Sequence, residues 1–181
     1  MSPSTDRWLR RGALALTLTL AASVTATFAV VMWPRVARAM GYTPPPAEPA
    51  YRAGQTIDTP AEWRQPSGPT LVVFAQSACG ACQKAHPFFT ALFKELDGRA
   101  AVVLASHGPN RTEESKYGHD LGLPETSIKM TPPGLRVQAT PTVVLVDPAG
   151  KILAAWEGVG PEKQQAVIRE KILSLVGAAG L

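Results

Sequence analysis

Two cysteines three positions apart carry the clearest chemistry in this sequence. They enclose the tetrapeptide Cys79-Gly80-Ala81-Cys82, and the chain contains no other cysteine. A disulfide that closes so short a loop restrains little of the unfolded chain, because the entropic gain grows with the number of residues enclosed. The spacing therefore argues against a structural cross-link and favours a redox-active disulfide, Cys79–Cys82.

The position of the pair supports a redox role. A continuous apolar run over 70–75 predicts a buried strand, and apolar residues at helical spacing predict an amphipathic helix over 82–96. The pair lies at this junction, where free N–H groups and the helix dipole stabilise a thiolate. We therefore expect Cys79 to be the nucleophile and Cys82, one turn further on, to resolve a mixed disulfide.

Metal and haem sites account for the pair less well. A structural zinc site needs about four ligands, and the chain offers only two cysteines and three histidines, which are His86, His107 and His119. Covalent haem attachment needs a histidine directly after the second cysteine, where Gln83 stands. Two thiolates do suit Cu(I), so a tethered copper chaperone remains an alternative. We expect no bound metal and no cofactor.

The elements that would position the pair alternate between strand and helix. Further strands are predicted over 101–105, 142–146 and 151–156. Asn110 is a helix cap with Glu113 three residues on, and this helix should end near Leu121. The segment 124–137 is predicted to be a loop with one helical turn. A last helix opens at Pro161, and its predicted apolar face consists of Val167, Ile168, Ile172, Leu175 and Val176.

Three further motifs accompany the cysteine pair and carry a family resemblance. They are Pro87, the segment Ala139-Thr140-Pro141-Thr142, and the turn Asp147-Pro148-Ala149-Gly150-Lys151. With the C-x-x-C motif after a strand, the chain resembles the thioredoxin superfamily, and within it the exported, membrane-tethered TlpA/ResA-like branch. The resemblance implies an α/β thioredoxin fold, in which a central mixed β-sheet is flanked by helices.

The same resemblance assigns roles near the thiols. It implies a cis bond before Pro141, with this proline beside the cysteine pair, and a Thr140 backbone that pairs with an extended substrate segment. The chain departs from the family where a buried acid or a glutamate usually serves as proton relay, because Val73 and Ala85 occupy those places. His86, four residues after Cys82, is a candidate replacement base.

An apolar run at the N-terminus predicts attachment to a membrane. Residues 12–33 contain no charged residue or histidine, and 22 residues at about 1.5 Å each reach about 33 Å. The flanking arginines favour a cytoplasmic N-terminus over residues 1–11. The alternative is a cleaved signal peptide, with Ala37-Arg38-Ala39 as a candidate cleavage motif. A proline-rich linker over 34–53 would then lead to a thioredoxin-like domain over 54–181.

Charge and the resemblance together define the expected partners. The net charge of +4 lies partly in the N-terminal flank, and lysine and arginine do not cluster with aromatic residues elsewhere, so nucleic-acid binding is not expected. The resemblance implies reduction of disulfides in exported proteins, as in cytochrome c maturation, with electrons from a membrane thiol carrier. Disulfide oxidation or isomerisation is the alternative. We expect a single-pass protein of the cytoplasmic membrane with its domain on the periplasmic side.

Overall fold

The computed structural model describes residues 16–25, 27–28, 31–33, 36, 49–135 and 137–179. They fall into two compact units, one within Met1–Ala47 and one within Glu48–Leu181. In the first unit the described residues are helical and their side chains are mostly exposed. Part of the predicted membrane span over 12–33 lies outside the described residues. Within the described ranges, no helix is both long and apolar enough for a membrane crossing.

The second unit is built around a five-stranded mixed sheet. The strands are β1 (Thr70–Phe74), β2 (Ala101–Ser106), β3 (Ile128–Met130), β4 (Thr142–Val146) and β5 (Ile152–Glu157). Their order across the sheet is β3-β2-β1-β4-β5, with β1, β2 and β3 parallel and β4 and β5 antiparallel to their neighbours. The predicted mixed central sheet is confirmed.

Helices cover the sheet. They are α1 (Gly80–Lys84), α2 (His86–Leu96), α3 (Arg111–Asp120) and α4 (Glu162–Ala179), and 3-10 turns lie at Ala61–Trp63 and Glu125–Ser127. Every residue of β1 and of β4 is buried, as their uninterrupted apolar sequences predict for strands covered on both faces. The end of β1, which leads into the cysteine motif, is therefore held inside the packed core.

The helix predicted over 82–96 is divided near its start. Helix α1 ends at Lys84, and α2 begins at His86 with Pro87 in its first turn. A proline has no N–H to donate and its ring clashes with the carbonyl four residues earlier, so it is accommodated only at a helix start. The cysteine motif therefore belongs to a short helical turn of its own.

Two sequence expectations for secondary elements were wrong. The segment expected to be loop contains, besides its helical turn, the edge strand β3, whose three residues are too few to show a period. Val167 was expected on the buried face of α4, but its side chain is 61% exposed, whereas Ile168, Ile172 and Val176 are buried. The buried stripe of α4 is therefore narrower than the run of apolar residues suggested.

Residues ahead of β1 pack against the second unit's own sheet. Tyr51 stacks on Phe74 with ring centroids 5.7 Å apart, and Ile57 and Trp63 are buried in the core on that face. The backbone at Gly54 and Gln55 exchanges hydrogen bonds with Ile152 at 2.8 and 2.7 Å, beside a bridge between Thr56 and Lys151. This stretch therefore pairs with the outer edge of β5 where that strand begins.

Candidate active site

Cys79 is the N-cap residue of α1. Its backbone is extended, and its Sγ accepts a hydrogen bond from the N–H of Cys82 at 3.1 Å. The first turn of a helix leaves N–H groups without helical partners, and a sulfur at the cap meets one of them directly. Both cysteines are free thiols in this structure. The tetrapeptide thus places the Cys79 sulfur against the N–H groups of the helical turn that contains Cys82.

The environment of Cys79 favours its thiolate. Burial by itself acts to raise the pKa of this half-buried thiol, but side-chain hydrogen bonds with Cys82 and Thr140 and the backbone N–H groups of Cys82 and Ala81 outweigh it. The net result is a pKa below the ordinary thiol value. The thiol also donates to the carbonyl oxygen of Thr140 at 3.4 Å, so the Thr140 segment lies against it.

Cys82 is in the opposite situation. Its side chain is fully buried, in the core formed with α2, α4 and one face of the sheet. Burial raises the pKa of Cys82 to about 12, and the neighbouring Cys79 contributes to the increase. The two thiols therefore differ in how readily they form a thiolate and in their access to solvent.

The segment at Thr140 and Pro141 faces the thiols as the resemblance implied. The peptide bond between these two residues is cis, as predicted. The carbonyl of Pro141 accepts a hydrogen bond at 2.7 Å from the N–H of Gly158, which follows β5. A groove of about 330 Å³ runs along this segment, past Lys84 of α1 and Val159. Thr140 thus lines the groove and also contacts the Cys79 thiol.

His86, the candidate proton relay, lies on the other side of the motif. It is half-buried at the start of α2, and its ring meets that of Tyr117 edge to face with centroids 6.0 Å apart. Both rings border a second cavity of about 370 Å³ that also reaches Ser77 and Ala78, directly ahead of Cys79. A role for His86 in proton transfer stays a prediction.

Sequence reasoning missed Tyr117, which contacts the motif. Its buried hydroxyl donates to the carbonyl of Cys82 at 3.2 Å. Burial raises the pKa of Tyr117, and the nearby Cys82, Cys79 and Glu114 add to the effect. Tyr117 therefore acts as a neutral donor. The sequence predicts that Tyr117 lies in the capped helix after β2, but it contains no signal that pairs Tyr117 with Cys82.

No metal-binding group emerges around the thiols. Across the part of the chain that the structure describes, no three His, Cys, Asp or Glu side chains come together in a way that could hold a metal ion. What the site does bring together is a half-buried thiol of lowered pKa, a buried thiol of raised pKa and a groove lined by Thr140, which contacts the first thiol. These are the parts that thiol–disulfide exchange requires.

Fold and site together define a thiol–disulfide oxidoreductase of the thioredoxin class. The chain belongs to the thioredoxin-like domain family, whose sequence pattern matches residues 58–171. The predicted fold and enzyme class are confirmed at this level. No curated protein matches the chain significantly.

Solved structures with the same fold come from several bacteria. A candidate protein disulfide isomerase from Bacteroides thetaiotaomicron is 19% identical, with a TM-score of 0.53 over 70% of this chain and 91% of that one. A thiol:disulfide interchange protein of the thioredoxin family from Chlorobium tepidum TLS is 18% identical, with a TM-score of 0.51 over 62% of this chain and 82% of that one. At these identities the similarity concerns the fold.

Proposed function

We propose that this chain is an exported, membrane-tethered enzyme of the TlpA/ResA-like kind that reduces disulfides in other exported proteins. The observation that carries the proposal is the difference between the thiols. Cys79 is half-buried with a lowered pKa and contacts Thr140, which lines a groove, whereas Cys82 is fully buried with a pKa raised to about 12. One thiol is suited to attack a partner, and the other to act only on its neighbour.

The reaction transfers two electrons to the substrate in two exchanges. The Cys79 thiolate attacks a substrate disulfide, forms a mixed disulfide with one sulfur and releases the other as a thiolate, which takes up a proton. Cys82 then loses its proton and attacks the Cys79 sulfur. The disulfide between Cys79 and Cys82 forms, and the second substrate thiol leaves. A membrane thiol carrier returns the enzyme to the dithiol. Exported apocytochrome c is the substrate class that the family branch suggests.

The direction that we propose follows the family branch and not the pKa values of the thiols. Strongly oxidising couples of this fold are those whose reduced form is stabilised, chiefly as a thiolate. The lowered pKa of Cys79 acts towards oxidation, so the redox potential of the pair decides the direction.

The redox potential of the cysteine pair tests the direction. Equilibration of the purified full chain with defined glutathione mixtures should give a potential below about −200 mV, towards the thioredoxin range and away from the roughly −120 mV of strong oxidants. The same preparation should reduce the disulfides of insulin with dithiothreitol as electron source. The Cys79→Ser variant is the control. A potential near that of the strong oxidants would reverse the proposed direction, and failure to exchange with any disulfide would remove the function.

The N-terminal run supports the location that we propose. Residues 12–33 are long and apolar enough to cross the hydrocarbon layer, and the arginines ahead of them favour a cytoplasmic start. A phosphatase that is active only outside the cytoplasm, fused after Leu181, should be active in intact cells. The fused protein should stay in the membrane fraction after alkaline carbonate washing.

Two variants make this location experiment decisive. Deletion of residues 12–33 should abolish both phosphatase activity and membrane retention. Replacement of Ala37 and Ala39 by larger residues should change neither, because the anchor is proposed to stay uncleaved. Phosphatase activity with a shortened, soluble product would instead support the signal peptide. Inactivity of the full-length fusion would contradict export.

A further inference from the structure

Helix α3 contains a buried carboxylate that the proposed reaction does not use. The side chain of Glu114 is 1% exposed, and its Oε2 accepts the hydroxyl of Ser106 at 2.6 Å. Its two oxygens also accept both donors of Ser77, the N–H at 2.9 Å and the hydroxyl at 2.7 Å. With these three hydrogen bonds, Glu114 joins the loop after β1 to the end of β2.

These two segments lie at the same end of the neighbouring parallel strands β1 and β2. Ser77 lies after β1, and Ser106 ends β2, its neighbour in the sheet. The N–H of Gly108 donates to the Ser106 hydroxyl at 3.2 Å, and a Cβ at Gly108 would overlap an oxygen of the Glu114 carboxylate. Only glycine leaves room for the carboxylate here. The site of Glu114 is thus built into the fold.

Ser77 connects this carboxylate to the redox motif. It stands two residues before Cys79, and its carbonyl accepts the Gln83 side-chain amide of α1 at 2.7 Å. The N–H of Cys79 donates to Gln76, the residue before Ser77, at 3.1 Å. The turn that aims the Cys79 sulfur is therefore held at Ser77 through its N–H, its hydroxyl and its carbonyl.

We propose that Glu114 is a positioning residue that fixes Ser77 and so aims the Cys79 sulfur at the N–H of Cys82 and at the substrate. Tyr117, one turn further along α3, holds the carbonyl of Cys82, so a single helix contacts the motif both before its first cysteine and at its second. The proposal rests on the proposed function. Glu114 acts through Ser77 and touches neither thiol in the contacts described above.

A positioning role and a purely electrostatic role of Glu114 predict opposite changes in the rate at which Cys79 is alkylated. If Glu114 acted only as a nearby negative charge, its removal would favour the Cys79 thiolate and speed alkylation. If it positions the sulfur, its loss should weaken the hydrogen bond from the N–H of residue 82 that favours the Cys79 thiolate, and alkylation should slow. A glutamine keeps the shape and an accepting oxygen but not the charge. Glu114→Gln therefore separates the two effects.

The experiment measures the rate of Cys79 alkylation by iodoacetamide at pH 7 in the full chain with Cys82→Ser. We expect Glu114→Ala to slow labelling about tenfold, because less of Cys79 would be thiolate, and Glu114→Gln to stay within about twofold of the parent. Ser77→Ala removes the hydroxyl, which makes one of the two hydrogen bonds that Ser77 donates to Glu114, and should slow labelling about threefold. Ser115→Ala is the matched control, since Ser115 on the same helix also donates to a glutamate, Glu125, away from the motif. It should leave the rate unchanged.

Urea unfolding midpoints, recorded in parallel, show whether each variant is folded. If Glu114→Ala does not fold, the comparison of Ser77→Ala with Ser115→Ala decides the question. Equal rates for these two serine variants would overturn the proposal, as would faster labelling in Glu114→Gln. Alkylation needs no protein substrate. A wild-type chain that fails to reduce disulfides would therefore refute the proposed function, whereas the variant rates alone report on positioning.

Discussion

Replacing Cys79 by serine is expected to abolish disulfide reduction, with a loss of at least about 10³-fold in the insulin assay. Removal of a catalytic nucleophile leaves only the background reaction, as triad knockouts in other enzymes show. Cys82 cannot take over, because it is fully buried and burial raises its pKa to about 12. The expected loss comes from chemistry and not from unfolding, since Cys79 is half-buried and serine is nearly isosteric.

Replacing Cys82 by serine should give a different defect. Attack on the substrate remains, but the mixed disulfide at Cys79 is no longer resolved, so covalent complexes should accumulate. Complexes isolated from membranes under non-reducing conditions should be abundant for Cys82→Ser and nearly absent for Cys79→Ser. The double variant is the control for non-specific disulfides. Complexes formed only by Cys79→Ser would show that the nucleophile and the resolving thiol are reversed.

The two thiols should also differ strongly in their alkylation rates. At pH 7, a pKa of about 12 for Cys82 and one below the ordinary 9.0 for Cys79 imply thiolate fractions that differ by about 10³. The higher intrinsic nucleophilicity of the more basic thiolate offsets part of this difference. We expect Cys79 to be labelled at least about thirtyfold faster, and full burial of Cys82 adds to the contrast.

The pH profiles of the single-cysteine variants check this assignment. The rate at Cys79 should reach half of its maximum below pH 9, whereas that at Cys82 should still be rising at pH 10. Labelling of both variants in urea provides the control, because the difference should largely disappear once burial and the capping hydrogen bond are lost. Faster labelling of Cys82 in the folded protein would contradict the assignment of the thiols.

Most of the sheet could be predicted because its strands are buried on both faces. The runs that became β1 and β4 are continuous apolar stretches bounded by turn residues, and such stretches are strand signals in themselves. Strand β3 could not be predicted, since its three residues are too short for any pattern. Val167 was wrongly predicted to be buried. It stands next to the buried Ile168, but an apolar residue beside a buried one on a helix need not face the core.

In the candidate site, the features formed by residues close in sequence could be predicted, and those formed by distant residues could not. The cysteine motif, its helix cap and the Thr140-Pro141 segment are short patterns that sequence alone reveals. Glu114 and Tyr117 are 37 and 35 residues away from their partners Ser77 and Cys82. Their contacts arise only when α3 packs behind the ends of β1 and β2. A charged residue on a predicted helix gives no sign in advance that it will be buried.

The edges of the sheet bear on how such an enzyme would select what it binds. A protein that handles extended segments of others risks pairing with them along any unpaired strand, which leads to aggregation. Here one edge strand has three residues, and the other is occupied at its start by the chain's own residues 54–57. Under the proposed function, both features shorten the edge backbone that could compete with Thr140 for an incoming segment. Extended substrate segments would then pair beside the thiols, and edge-to-edge aggregation would be disfavoured.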